Sequence, residues 1–429
     1  MKPLLLRGGR VVDPSQDQDG LADLLLLDGK IAGLGASLAA PDGADIIDVS
    51  GKVVAPGLVD VHVHLREPGN ESAETIATGA RAAAAGGFTS VCAMPNTDPV
   101  VDNEAAVGFA VKQASAAHGA RVFPYGAVSL GQKGEQMAEF AKLIEAGAVA
   151  VSDDGHPVAS SHLMRTVLEY AQAFGIPVAE HCEDPDLAKR GVMHEGVVST
   201  RLGLKGIPAA AEEIMVARDV SLAELTGGHV HLCHMSTKGC VDIIGRAKDN
   251  GTNVTAEVTP HHLTLIHDEC EGYNTNAKMN PPLREQADVE ALCQALKDGT
   301  VEMIATDHAP HHYEAKERDF DDAPFGIVGL ETALGVCMTA LVDGGVLTVP
   351  QLIRCMSTNP ANAFHLDGGT LAKGKPADVV VFDPTATWTV DPSHFLSKSR
   401  NTPYAGRQLV GRVERTIVGG VTVFESGAP

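Results

Sequence analysis

Residues 57–66 read GLVDVHVHLR, and the placement of this stretch decides the fold. An apolar run follows Gly57 and ends in His62 and His64, two residues apart. Alternate side chains of a strand share a face, so both imidazoles project together. Comparable runs recur through the middle of the chain: FTSVCAM (88–94), RVFPYGAVS (121–129), GAVAVSDD (147–154), IPVAEHC (176–182), HVHLCHMS (229–236), NVTAEVTP (253–260) and VEMIATDH (301–308). Between them lie helix-like, often Ala-rich stretches at 74–87, 104–119, 161–175, 210–227 and 238–251, several closing on Gly. Alternating strands and helices predict a parallel sheet with crossover connections, and eight such units predict closure into a (β/α)8 TIM barrel. The alternative, an open doubly wound sheet, is weakened because no GxGxxG follows the first strand and no GxxxxGK[ST] occurs.

The two ends differ from this middle. Residues 1–55 and 366–429 carry short β-type runs broken by Gly, Asp and Pro, such as RVVDP, ADIIDVSG and ADVVVFDP. They predict one small β-sandwich-like domain built from both termini, flanking a barrel over 56–365. Hydrophobic residues make up 44% of the chain but aromatics only 4%, so its core must rest on Val, Leu, Ile and Ala.

The formal net charge of −22 argues against nucleic acid and against anionic membranes as partners. An anionic substrate then needs a local positive centre, a metal or a buried Arg. The eight Cys include no CxxC pair; Cys92, Cys182, Cys233 and Cys337 sit in apolar contexts and are expected to be buried, reduced thiols. The N-terminal MKPLLLRGGR lacks a long apolar segment and a cleavage site, and LADLLLLDG is too short and interrupted to span a bilayer, so the cytoplasm is the expected location.

The ionisable residues concentrate at the C-terminal ends of the strand candidates, where barrel active sites are built. His62 and His64 end the first strand; Asp153 and Asp154 end the fourth, His181 the fifth, His234 the sixth and Asp307 the eighth. Borderline divalent metals accept this mixture of imidazole and carboxylate. Four imidazoles and two carboxylates suffice for two ions, one carboxylate bridging them. The remaining His residues have plainer expectations. His118, His156, His162, His194, His267, His365 and His394 fall in helices or loops and should be solvated. His231 has opposite parity to His234 and should face the helices. His308 should point away from Asp307, and His261 and His262 lie near the barrel mouth.

DVHVHLREPG, AMPNT, VSDDG, AEHCED, HMST, KMNPPLR, ATDHAPH and PFGIVGLET, spread over roughly residues 55–335, together resemble the amidohydrolase superfamily and most closely the class I dihydroorotases of bacteria. The resemblance implies that His62, His64 and Asp307 hold one metal and His181 and His234 a second. The bridge would be Asp154, with Asp153 the alternative, in a branch that lacks the carboxylated Lys of many relatives. It implies two Zn2+ per subunit, one of them weakly held. The implied reaction is the reversible cyclisation of N-carbamoyl-L-aspartate to L-dihydroorotate plus water, with a metal-activated hydroxide in the hydrolytic direction and Asp307 as general acid and base.

The substrate set implied with it is His64, Leu65, Arg66, Asn96, Asn280, His311, Phe325 and Gly326. Arg66 suits a carboxylate, which its guanidinium grips through paired hydrogen bonds. Residues 309–325 read as a mobile lid. A hydantoinase or allantoinase shares the barrel and metals, but its ring lacks the carboxylate that Arg66 would bind. Some dihydroorotase-like chains are inactive scaffolds for aspartate carbamoyltransferase and have lost metal ligands; all six candidates remain here, which favours an enzyme and leaves binding of the transferase open. A homodimer is the expected assembly.

Overall fold

The structure is a computed structural model and describes residues 2–427. A three-stranded parallel sheet (Leu58–Val63, Phe88–Ala93, Arg121–Pro124) and a five-stranded one (Val151–Ser152, Val178–Glu180, Val230–Leu232, Val254–Val258, Met303–Ile304) are joined at both seams. One seam is the parallel bridge between Gly126 and Val151, the other that between Val63 and His308, and together they close an eight-stranded barrel. Helices such as Ile76–Ala85, Glu104–Ala116, Ser161–Ala171, Ala210–Thr226, Lys238–Asp249 and Gln286–Asp298 cover its outer face. Their starts are set by local chemistry. The Thr75 hydroxyl accepts from the Thr78 amide while the Thr75 amide donates to the Thr78 hydroxyl, Asn103 accepts from the Ala105 and Ala106 amides, and Thr237 accepts from that of Cys240.

Two apolar layers result. The larger lies between strands and helices and includes Leu58, Val63, Phe88, Val178, Leu232 and Val258. The smaller fills the barrel interior with Val59, Val61, Cys92, Tyr125, Ala179, Cys233, Met303 and Phe364. Phe364 packs at 5.0 Å from the His231 ring and 6.0 Å from Tyr125, plugging the interior from the end where the strands begin. The Tyr125 hydroxyl meets the low dielectric there by donating to the Val61 carbonyl at 2.9 Å.

The chain termini meet in one eight-stranded sheet, ordered Val421–Glu425, Gln408–Val418, Val379–Thr389, Val53–Pro56, Leu4–Asp13, Gln18–Leu27, Lys30–Gly35, with Asp45–Asp48 also pairing with Leu4–Asp13. It has its own core, including Leu6, Val11, Leu24, Val379 and Ile417. One stretch of the C-terminal run leaves this sheet. Phe395 and Tyr404 pack with Leu265, Ile327 and Val328 of the barrel, which brings residues 395–404 to the barrel mouth. All eight cysteines are free, and all but the half-buried Cys293 are buried, where burial pushes thiols such as Cys182 up. No helix among the described residues is long and apolar enough to cross a membrane.

Candidate metal centre and active site

The strand ends converge. Asp60 explains how two of them are locked together: its buried carboxylate accepts from the Thr306 hydroxyl at 2.6 Å, the Thr306 amide at 3.1 Å and the His62 amide at 3.1 Å. The first and eighth strands are thereby tied one residue before Asp307. Asp307 (φ 48°) and His234 (φ 40°) both take left-handed backbone angles, so each strand ends in a sharp turn that throws its side chain over the barrel mouth.

His62, His64 and Asp307 form one group of close ligand atoms, and Asp154, His181 and His234 a second. Asp154 stands between them. Its Oδ1 lies 3.4 Å from His62 Nε2, 3.4 Å from His234 Nε2 and 3.8 Å from His181 Nδ1, while Oδ2 lies 3.4 Å from His64 Nε2. Asp307 Oδ1 lies 3.0 Å from His64 Nε2 and 3.6 Å from His62 Nε2. Two donors on one tetrahedral ion, each about 2.1 Å from it, stand about 3.4 Å apart. Most of these spacings are long for hydrogen bonds and right for donors sharing a cation. His62 Nε2 is fully buried and has no hydrogen-bond partner among the described residues. The donor set, imidazole nitrogens with carboxylates, is that of a borderline divalent metal. These clusters can therefore hold a metal.

The electrostatics agree. Burial favours a neutral Asp154, but the charge of His62, the hydrogen bond of His234 and the charge of His64 overcome it and hold the carboxyl well below its ordinary range. Asp307 is likewise lowered against burial, chiefly by its hydrogen bond to His64 and the charge of His62. Buried negative charge of this density requires positive charge beside it.

Asp153 faces away. Its carboxylate accepts from the Ser129 amide at 3.1 Å and from the Ser129 hydroxyl, and its carbonyl accepts from the His156 amide. It thus braces the turn that presents Asp154.

A cavity of about 210 Å³ opens above the cluster, lined by His64, Arg66, Asn96, Asp154, His181, His234, Asn280, Asp307, His311, Phe325 and Gly326, with Gly155 and Ala309. The Arg66 Nε donates to the Pro310 carbonyl at 3.1 Å, and its terminal nitrogens make no hydrogen bond among the described residues. Burial lowers its pKa to about 10, against the pull of Asp307 and Asp154, and it stays charged at neutral pH. Asn96 pairs its Oδ1 with His64 Nδ1 at 2.9 Å and donates to the Asp154 carbonyl at 3.3 Å. Asn280 Nδ2 lies 3.4 Å from His181 Nε2, and its Oδ1 is buried without a partner among the described residues. His311 Nε2 donates to the Phe325 carbonyl at 2.7 Å; burial and then Arg66 push its pKa down to about 3, so it is a neutral imidazole. Leu65 is absent from the lining. Its side chain enters the core against Gly79, so only its backbone can serve a ligand.

The segment 309–325 is more firmly held than its polar, Pro-bounded sequence predicts. Lys316 Nζ is buried and donates to the carbonyls of Pro324 at 2.8 Å and Gly326 at 3.0 Å, while Lys278 Nζ donates to those of Phe320 at 2.6 Å and Asp321 at 3.0 Å. Gly326 needs to be glycine: its φ is +117°, and a Cβ would stand 2.5 Å from that of Ala309.

Three His expectations need correction. His231 faces the barrel interior, because the strand ends at Leu232 and the turn at His234 breaks the two-residue alternation. His194 and His267 are buried rather than solvated, with ring centroids 5.3 Å apart and Arg284 Nη1 3.2 Å from His194 Nδ1. His118, His156, His162, His365 and His394 are exposed. His308 turns away from the cluster, its Nε2 3.4 Å from Glu74. His262 bonds the Thr259 hydroxyl and the Pro281 carbonyl, while His261 Nε2 is buried with no hydrogen-bond partner among the described residues.

The motifs did not disclose Glu257, on the seventh strand, which touches both His62 and His231. Burial pushes it up, but the charge of His62 and the bond to His231 prevail and bring it down to about 2. A lone Glu inside the apolar run NVTAEVTP was the available signal.

With this geometry in view, the relatives are consistent. The dihydro-orotase-like family profile matches residues 51–240, and an amidohydrolase family profile matches residues 327–424. The chain is 54% identical to a dihydroorotase of Anaeromyxobacter sp. (strain K) over 426 residues, 99% of this chain and 98% of that protein. It is 53% identical to a dihydroorotase of Geobacter metallireducens over 422 residues, 98% of this chain and 99% of that protein. Among solved structures it resembles an L-hydantoinase (dihydropyrimidinase) from Arthrobacter aurescens, with a TM-score of 0.89, 26% identity and coverage of 100% of this chain and 97% of that one. A dihydropyrimidinase from Brevibacillus agri gives a TM-score of 0.86 at 25% identity, covering 99% and 95%. The chain belongs to the dihydroorotase family of the amidohydrolases.

Proposed function

We propose that this chain catalyses the reversible cyclisation of N-carbamoyl-L-aspartate to L-dihydroorotate with release of water. The observation that carries the reading is the charged, half-buried Arg66 in one small cavity with the His–Asp cluster. The ring substrate pairs a cyclic amide with a carboxylate, and the cavity offers a counterpart to each.

In this reading His62, His64 and Asp307 would hold one Zn2+ and His181 and His234 the other, with Asp154 the shared carboxylate between the two groups. Two such ions, when bound, polarise the amide carbonyl and supply a water acidic enough to attack at neutral pH. Asp307, at the wall of the cavity, takes the proton from the attacking water. The water oxygen bonds to the amide carbon, the ring carbon–nitrogen bond breaks, and Asp307 returns the proton to the departing nitrogen. Cyclisation runs the same steps backwards. Arg66, Asn96, Asn280 and the neutral His311 grip the carboxylate end and the ring edge, with the Phe325 and Gly326 backbone completing the contact. The segment 309–325 covers the site and restricts water. The enzyme is read as a cytoplasmic homodimer, and an association with aspartate carbamoyltransferase is compatible with an intact ligand set.

Purified protein, offered dihydroorotate beside dihydrouracil, hydantoin and allantoin, tests the proposal. Preference for dihydroorotate, loss on chelation and recovery with zinc support it. Preference for hydantoin or dihydrouracil assigns the chain the other cyclic-amidase activity, and neither turnover nor bound metal makes it a scaffold.

A further inference from the structure

We propose that Asn401 is a positioning residue that fixes the substrate-contacting ends of the segment covering the cavity. It lies in the stretch 395–404 that crosses from the β-domain to the barrel mouth, and it is 5% exposed. Its Nδ2 donates to the Ala309 carbonyl at 3.0 Å and to the Gly326 carbonyl at 3.1 Å. Its Oδ1 accepts from the His311 amide at 3.2 Å, and its backbone carbonyl accepts from the Val328 amide at 2.9 Å. One side chain thus joins 309–311 to 326, the places where the covering segment leaves the barrel and returns.

Asn suits this post for a chemical reason. Two acceptors and one donor face it, and a primary amide presents two N–H groups and one carbonyl oxygen in one plane. Asp would set a carboxylate oxygen against two carbonyls, and Ala would leave the Ala309 carbonyl and the His311 amide unpaired, the Gly326 carbonyl keeping only Lys316 Nζ. Asn401 does not line the cavity, whereas His311 and Gly326 do. Its effect on substrate therefore passes through them.

The inference rests on the reading of His311 and Gly326 as substrate contacts, and the test separates the two. Asn401→Asp and Asn401→Ala are compared with wild type for metal content, KM and kcat with dihydroorotate, and hydrogen exchange of peptides spanning 309–328. Metal content should hold, KM should rise about tenfold or more with kcat little changed, and exchange should quicken in 309–328 but not in the barrel strands. Unchanged exchange in 309–328, or KM within twofold of wild type in both variants, overturns the positioning role. If wild type fails to turn over dihydroorotate, the functional reading falls and the exchange measurement alone judges the clamp. If Asn401→Asp does not fold, Asn401→Ser, whose hydroxyl serves fewer of the three partners, gives the same readouts.

Discussion

Glu257 Oε1 lies 2.6 Å from His62 Nδ1, and its other oxygen lies 3.1 Å from His231 Nε2. A carboxylate at Nδ1 holds the proton on that nitrogen and leaves Nε2, which faces Asp154 and Asp307, free as a metal ligand. His231 in turn is oriented by the Thr255 hydroxyl at 2.9 Å, so the carboxylate is pinned from beneath. Glu257→Gln keeps the shape and one acceptor but removes the charge. Metal affinity, measured by competition with a chromogenic chelator, should fall about 10–100-fold. An unchanged affinity would show that His62 needs no such partner.

Arg66→Met should leave metal content intact and raise KM for dihydroorotate. A charge-assisted hydrogen bond contributes about 1.5–3 kcal/mol, which corresponds to roughly 10–100-fold. Steady-state kinetics with metal counted in parallel checks this. An untouched kcat/KM would remove Arg66 from the carboxylate contact and reopen the choice among ring substrates.

The barrel was legible because its strands repeat, and much of the site because strand ends in a barrel share one rim. His62, His64, His181, His234 and Asp307 could be placed together from that rule alone. One miss comes from strand ends, where the alternation of side chains fails, and the others from partners distant in sequence. His231 was misplaced because the count was carried through the turn at His234. The firm hold on 309–325 was hidden because its anchors, Lys278 and Asn401, lie outside it in sequence, while Lys316 sits among solvated-looking charges. Nor does the stretch KRGVMHEGVV around His194 reveal that Arg284, some ninety residues on, crosses over to cover it.

Removing metal should destabilise the fold as well as abolish turnover. The cluster ties together the ends of the first, fourth, fifth, sixth and eighth barrel strands. An ion that binds only the folded chain adds about 2.7 kcal/mol when present at 100 times its Kd. Thermal unfolding with and without chelator should show a drop in Tm that added zinc reverses. A Tm indifferent to chelation, with metal confirmed absent, would mean that the strand ends hold their places unaided.

His194 gives the fold an acid-sensitive element away from this cluster. Burial, then the charges of Arg284 and His267, lowers its pKa from 6.5 to about 4. Between those values the folded chain binds fewer protons at this site than the unfolded chain does. Stability must therefore rise with pH across the window: the contribution is complete above 6.5 and is lost as pH falls towards 4. His194→Gln removes the titration while keeping a polar side chain beside Arg284. Urea midpoints followed across that window on metal-free protein, so that proton-linked metal release does not enter, should depend less steeply on pH in the variant. Curves of equal slope in variant and wild type, whatever the offset between them, would show that His194 titrates alike in the folded and unfolded chain.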